Sequence, residues 1–173
     1  TLYGLKNFSG SFDAYEQYVR IFPNDSYALF NLGQAYEQAG QYNSALTSYQ
    51  IATEIDPTYA KPWYFIGGLY ESFGDYQKAA DSYRYYTILA PDDDRGWFAR
   101  SRMEYKLLQK NESIMSLKKA IQFSPENSLY QEYLQLYADN LSLIKGAAKS
   151  PVSIEFICMA LSVLAIMRKL HLN

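Results

Sequence analysis

The chain of 173 residues has one cysteine, one histidine, two tryptophans, and only six prolines and nine glycines. A single thiol, Cys158, excludes an intrachain disulfide and any zinc site built on several thiolates, and its apolar setting favours an inert packing role. A single histidine, His171 near the end of the sequence, leaves no Ser/His or Cys/His pair for nucleophilic catalysis. Excess charge of one sign is also missing. The net charge is −2 with 20% charged residues, which supplies no field for tracking a nucleic-acid backbone, and the scattered Lys and Arg argue against helical-repeat RNA binding. The "PDDDRGW" stretch at 91–97 lacks the spaced oxygen ligands of a calcium loop, so Asp92 to Asp94 read as helix N-terminal capping groups. Gly67-Gly68 lies inside a helical pattern and does not follow a strand, so it is no phosphate loop. No metal, cofactor or catalytic set emerges from these residues.

What is abundant is tyrosine, with 18 copies in a chain that is 49% hydrophobic. The pattern behind it is a period of 34 residues, seen first in Pro23, Pro57, Pro91 and Pro125. "LFNLGQAYEQAGQYNSALTSYQIATEIDP" ends at Pro57 and "WYFIGGLYESFGDYQKAADSYRYYTILAP" ends at Pro91. At that spacing Leu29/Trp63, Leu32/Ile66, Gly33/Gly67, Tyr36/Tyr70, Gly40/Gly74, Ala45/Ala79 and Tyr49/Tyr83 correspond. Leu29, Leu32, Gly33 and Tyr36 follow the i, i+3, i+4, i+7 stripe of one helix face. Gly40 falls where a helix end needs positive φ, and Ala45, Tyr49 and Ala52 give a second stripe that Pro57 terminates. Gly33 and Ala45 are small enough to let two antiparallel helices approach closely. Each unit therefore reads as a helical hairpin whose apolar face is buried only against its neighbours.

These residues resemble the tetratricopeptide repeat, whose signature is a large residue, Leu-Gly, Tyr, then Ala, an aromatic, Ala and Pro across 34 positions. The resemblance implies an all-α, right-handed superhelical solenoid of antiparallel hairpins. It divides the chain into a partial repeat at 1–25 with only its second helix, repeats at 26–59 and 60–93, a degenerate repeat at 94–127, a capping helix at 128–144, a linker at 145–151, and a hydrophobic C-terminal helix at 152–172. In the third unit Arg100, Ser101 and Leu108 replace the expected Leu, Gly and Gly. The capping helix places Tyr130, Tyr133, Leu134, Tyr137, Leu141 and Ile144 on one face.

The resemblance also implies a function, that of a non-catalytic scaffold that binds a protein or peptide segment in a concave groove lined by the first helix of each hairpin. The groove positions are Tyr27, Phe30, Asn31, Gln34 and Glu37, then Lys61, Tyr64, Phe65 and Glu71, then Arg95, Phe98, Arg102, Tyr105 and Lys106. Aromatics with Arg are the composition of an interface hot region, although many of these rings could equally be packing. The Lys, Asn, Asn, Lys, Arg clamp used by family members that bind chaperone tails is mostly absent, because Phe30, Gln34, Phe65, Arg95 and Ala99 stand near those places. Arg95, Arg100, Arg102, Lys106 and Lys110 could seat an acidic partner segment or be a solvated face. The alternative function is a structural or assembly subunit of a larger complex, using its end faces and tail. In that reading the half-repeat around Phe12, Tyr15 and Val19 stacks on another subunit or a missing upstream segment.

Two features bear on location. Asn7, Asn24, Asn111 and Asn140 each begin an Asn-x-Ser triplet, which suits a glycosylated surface or lumenal protein. Val152 to Met167 is an apolar run of 16 residues, about 24 Å as a helix, with Arg168 and Lys169 beyond it to snorkel. Pro151, the apolar run and the basic pair resemble tripartite sorting segments and tail anchors. The competing reading is a buried packing helix with Glu155, Ser162 and Lys169 as a narrow polar stripe, in a soluble cytoplasmic protein.

Overall fold

The computed structural model describes residues 13–147, and side chains through residue 139. Eight helices follow one another and no strand occurs among the described residues. They are α1 (13–21), α2 (Ser26–Gln38), α3 (Tyr42–Ile55), α4 (Ala60–Ser72), α5 (Tyr76–Leu89), α6 (Asp94–Lys106), α7 (Lys110–Phe123) and α8 (Ser128–Ala147). The expected hairpins are α2 with α3, α4 with α5 and α6 with α7. The helices within each pair touch most extensively, and the second helix of each pair then rests on the first helix of the next. Of the expected half-repeat, the described residues hold the helix α1. The predicted hydrophobic helix at 152–172 lies outside the described residues. The expected end of the capping helix near Ile144 is corrected: α8 runs on to Ala147, into the stretch read as a linker, where Lys145-Gly146-Ala147 carries no proline to stop it.

Local chemistry explains the boundaries. Asp25, Asp75 and Asp93 each sit at an N-cap and accept a backbone N–H, from Ala28, Lys78 and Arg95 respectively. At the hairpin turns Gly40 and Gly74 have φ of 75° and 78°, and the following N–H groups, of Gln41 and Asp75, reach back to the carbonyls of Tyr36 and Tyr70. In the third unit Leu108 takes the same left-handed conformation at φ 64°, and Gln109 N–H bonds the Glu104 carbonyl in the same way. The turn survives there because its hydrogen bonds offset the strain on a non-glycine residue, and because the exposed Leu108 side chain clashes with nothing that must be buried.

Three clusters form the core in sequence, and each straddles a junction between units. Ala45 and Tyr49 meet Phe30, Ile66 and Leu69; Ala79 and Tyr83 meet Ala99 and Met103; Leu117 and Ala120 meet Tyr130 and Tyr137. Within a hairpin the limiting contact is glycine against tyrosine. A Cβ on Gly33 would lie 2.4 Å from the Tyr49 ring, and one on Gly67 would lie 2.7 Å from the Tyr83 ring. In the third unit both partners change together: Ser101 replaces the glycine and Leu117 replaces the ring. The space is filled by polar bonds instead, with Ser101 Oγ donating to the Ser113 carbonyl at 2.8 Å. Glu104, buried at the position of Tyr36 and Tyr70, accepts from Arg100 Nε at 2.7 Å and Ser116 Oγ at 2.6 Å.

This exchange predicts a coupling. Gly67→Ser alone should destabilise by about 2–3 kcal/mol through overpacking, and Tyr83→Leu alone by about 2–4 kcal/mol through the void it leaves. The double variant, which copies Ser101 and Leu117, should lose at least about 1 kcal/mol less than the sum. Urea denaturation of the three variants and the wild type reads the coupling, and strict additivity would remove this account of the third unit.

Candidate functional site

Residues 27, 30, 31 and 34 are spaced i, i+3, i+4, i+7 and so share one face of α2. That face looks onto residues 61, 64 and 65 of α4. The result is a cavity of about 770 Å³ lined by Tyr27, Phe30, Asn31, Gln34, Tyr59, Lys61, Tyr64, Phe65, Tyr86 and Arg95. Eight of the fourteen groove positions expected from the sequence converge there. Phe30 is only 5% exposed and forms the floor, with ring contacts to Tyr49, Tyr59 and Phe65 at 5.3–5.6 Å. Tyr27, 62% exposed, leans on Tyr59 at 4.5 Å and forms one wall. Tyr64 meets Tyr86 at 5.1 Å and forms the other.

The remaining six, Glu37, Glu71, Phe98, Arg102, Tyr105 and Lys106, do not line this cavity. Phe98 packs on Tyr130 and Tyr133 of α8 at 4.7 and 5.1 Å, and Tyr105 stacks on Tyr137 at 3.8 Å with rings nearly parallel. The Arg102 guanidinium pairs with Glu71 of the preceding unit, and Lys106 lies over the Tyr76 ring at 5.5 Å. Glu71 also accepts the Tyr83 hydroxyl and Glu37 accepts the Tyr49 hydroxyl, so both of these groove-side carboxylates are held by their own hairpins. Of the Asn-x-Ser sites, Asn24 is exposed in the turn before α2, Asn111 is exposed in the first turn of α7 and Asn140 falls within α8; Asn7 lies outside the described residues.

Two lining residues, Tyr59 and Tyr86, were not anticipated from the sequence. Tyr86 stands where the neighbouring units have Ala52 and Ala120, and its ring occupies the space that a side chain at Gly96 would need, 2.4 Å from a Cβ built there. A tyrosine at an alanine position with a glycine ten residues on was the available signal. Its hydroxyl donates to Asp93 Oδ2 at 2.5 Å. Asp93 also accepts Arg95 through Nε at 3.0 Å and a terminal guanidinium nitrogen at 2.6 Å, so the cation at the groove edge is already neutralised. This ring of donors, the Arg95 guanidinium first, lowers the Asp93 carboxyl to about 2 against the burial that opposes ionisation. Burial and the Asp93 carboxylate hold the Tyr86 hydroxyl well above the ordinary phenol range. Lys61 is exposed and has no ion pair among the described residues.

Chemically the groove offers π surfaces, the side-chain amides of Asn31 and Gln34, and one unpaired ammonium. No cluster of potential metal ligands occurs among the described residues. No helix among the described residues is long and apolar enough to cross a membrane.

A stack of helical hairpins around one aromatic groove defines a solenoid of the repeat class. Residues 26–59 and 60–92 each match the tetratricopeptide repeat, so the chain carries two tetratricopeptide repeats in tandem. No curated protein matches it. Solved structures share the fold at low identity. MamA has 21% identity over 84% of this chain and 80% of its own, with a TM-score of 0.74. MamA from Desulfovibrio magneticus RS-1, residue 41 to the end, has 19% identity over 84% and 88%, with a TM-score of 0.68. The first TPR of Spaghetti (RPAP3), bound to the HSP90 peptide SRMEEVD, has 16% identity over 68% and 93%, with a TM-score of 0.63.

The Asp93 geometry makes a pH prediction. A carboxyl lowered from the ordinary 3.8 to about 2 in the folded state contributes stability that is complete above about pH 4 and is lost as pH falls toward 2. Asp93→Asn should therefore lower the melting temperature at pH 7 and flatten its decline between pH 4 and 2. Calorimetric melts across that range check the slope; equal slopes for variant and wild type would show that Asp93 carries no such linkage.

Proposed function

We propose that the protein is a non-catalytic scaffold that holds a segment of a partner protein in the groove between α2, α4 and α5. The carrying observation is the groove itself, an aromatic-lined cavity in which the Asn31, Gln34 and Lys61 side chains make no hydrogen bond or ion pair to the described residues. The peptide-bound tetratricopeptide domain of Spaghetti supports the reading by fold analogy. The clamp positions here hold Phe30, Gln34 and Phe65, so the bound segment is not recognised chiefly by a terminal carboxylate. Arg95 and Arg102, expected to attract an acidic segment, have Asp93 and Glu71 as partners, which leaves Lys61 as the charge available to a ligand. Panning an unbiased displayed-peptide library on the full chain should enrich binders that lose affinity at least about tenfold toward the Tyr27→Ala/Lys61→Ala variant, with its melting temperature unchanged. Enriched peptides indifferent to both changes would move the site off this groove.

We further propose that residues 152–172 tether the repeat array to a bilayer. The reading rests on the hydropathy of Val152 to Met167 and the basic pair Arg168 and Lys169. The surface or lumenal setting suggested by the Asn-x-Ser triplets fits such a tether. The full chain should stay with membranes through a carbonate wash, while a chain ending at Lys149 should be soluble and equally helical. A full chain that stays in the supernatant, with a truncated one that unfolds, would make the segment a core helix instead.

A further inference from the structure

Resting on the groove reading above, we propose that the partner segment is proline-rich and enters as a polyproline II helix. Three observations converge. The first is ring grouping. Tyr27 with Tyr59, at 4.5 Å, and Tyr64 with Tyr86, at 5.1 Å, form the two walls, so the aromatic surface comes in two pairs of rings. A polyproline II helix repeats every three residues at about 3.1 Å each, so prolines at i and i+3 lie about 9 Å apart on one side. Successive prolines on that side can rest on successive ring pairs.

The second observation is hydrogen-bonding type. A polyproline helix bonds none of its carbonyls internally, and prolines carry no N–H. Its unmet need is for donors. Asn31 and Gln34, one helical step apart on α2 and half-buried beside the rings, supply amide N–H groups along the groove wall. The tyrosine hydroxyls of the walls can donate as well.

The third is charge. The carboxylates nearest the groove, Glu37, Glu71 and Asp93, are taken up by Tyr49, by Tyr83 and Arg102, and by Tyr86 and Arg95. Among the described residues that leaves one charge of each sign, Lys61 at the groove's exposed edge and Glu37, whose partner is a neutral phenol. A surface of rings with so little net charge complements an uncharged segment better than a run of acidic residues. A preformed extended helix also loses little conformational entropy on binding, which suits an open cleft that cannot enclose its ligand.

Fluorescence anisotropy with fluorescein-labelled decaproline on the full chain tests this, with a labelled Glu-Ala alternating decamer as the acidic comparator. Decaproline should saturate. Tyr27→Ala, at an exposed ring, should weaken it about tenfold with helicity and melting unchanged, while half-molar salt should leave it within about twofold. Absence of saturable decaproline binding, or binding indifferent to Tyr27→Ala, would overturn the proposal. If the acidic decamer binds instead and depends on Lys61, the proline preference is wrong and the groove remains the site. If neither decamer binds but library peptides do so through Tyr27, the proline preference again fails while the scaffold reading stands.

Discussion

The contact on which the architecture depends is a bare glycine pressed against a tyrosine ring inside each of the first two hairpins. Gly33 under Tyr49 and Gly67 under Tyr83 leave no room for a methyl group. That proximity sets how closely α2 approaches α3 and α4 approaches α5, and hence where the outer face of each first helix lies. The same rings turn outward at their hydroxyls to bind Glu37 and Glu71. One residue type thus sets the helix separation and, through its polar end, fixes the position of the carboxylates beside the groove. Buried at 0% and 3% exposure, both phenols are held far from ionisation by desolvation, so these bonds persist through the physiological range.

The third hairpin reaches a similar geometry by other chemistry. With Leu117 in place of the ring, the small residue opposite becomes Ser101, and the aromatic next along becomes the buried Glu104 with Arg100 and Ser116 around it. Satisfied polar networks of this kind specify one arrangement more than they add stability, since desolvating the ion pair offsets much of its attraction. The junction that follows is the one α8 covers, through Tyr130, Tyr133 and Tyr137 on Phe98 and Tyr105. Tyr130 also donates to Asp94 Oδ2 at 2.6 Å, tying α8 to the start of α6. The array is therefore unlike at its two ends: open and aromatic around α2 and α4, covered by a helix around α6.

That asymmetry accounts for how far the sequence could be read. The 34-residue period, with Gly40 and Gly74 at the turns and prolines after the second helices, is a local signal and located the described hairpins without help from the fold. The groove positions on α2 and α4 came from the family resemblance, which implies which face of each first helix lines the concave side; the period only carries that face from one unit to the next. Phe98 and Tyr105 obey the period as well, yet α8 occupies their side; its tyrosine face was visible, but periodicity alone does not say which rings it would meet. The ion pairs were hidden for a different reason. Arg102 and Glu71 are 31 residues apart and come together only once two units have stacked, so charge counted within the third unit overstated its free basicity. Tyr86 was concealed by the repeat logic itself, since the template asks for alanine there.

The departure at Tyr86 joins the fold to the site. A ring that replaces a methyl at a junction between units must find volume, and Gly96 supplies it at the first turn of α6. Once inserted, the ring carries its hydroxyl to Asp93, the residue that caps α6 and pairs with Arg95. Helix start, junction packing and groove charge thereby meet at one carboxylate. A plain alanine at 86 would keep the hairpin but remove a wall of the groove and a partner of the cap. The feature that breaks the repeat pattern is the one that builds a wall of this groove.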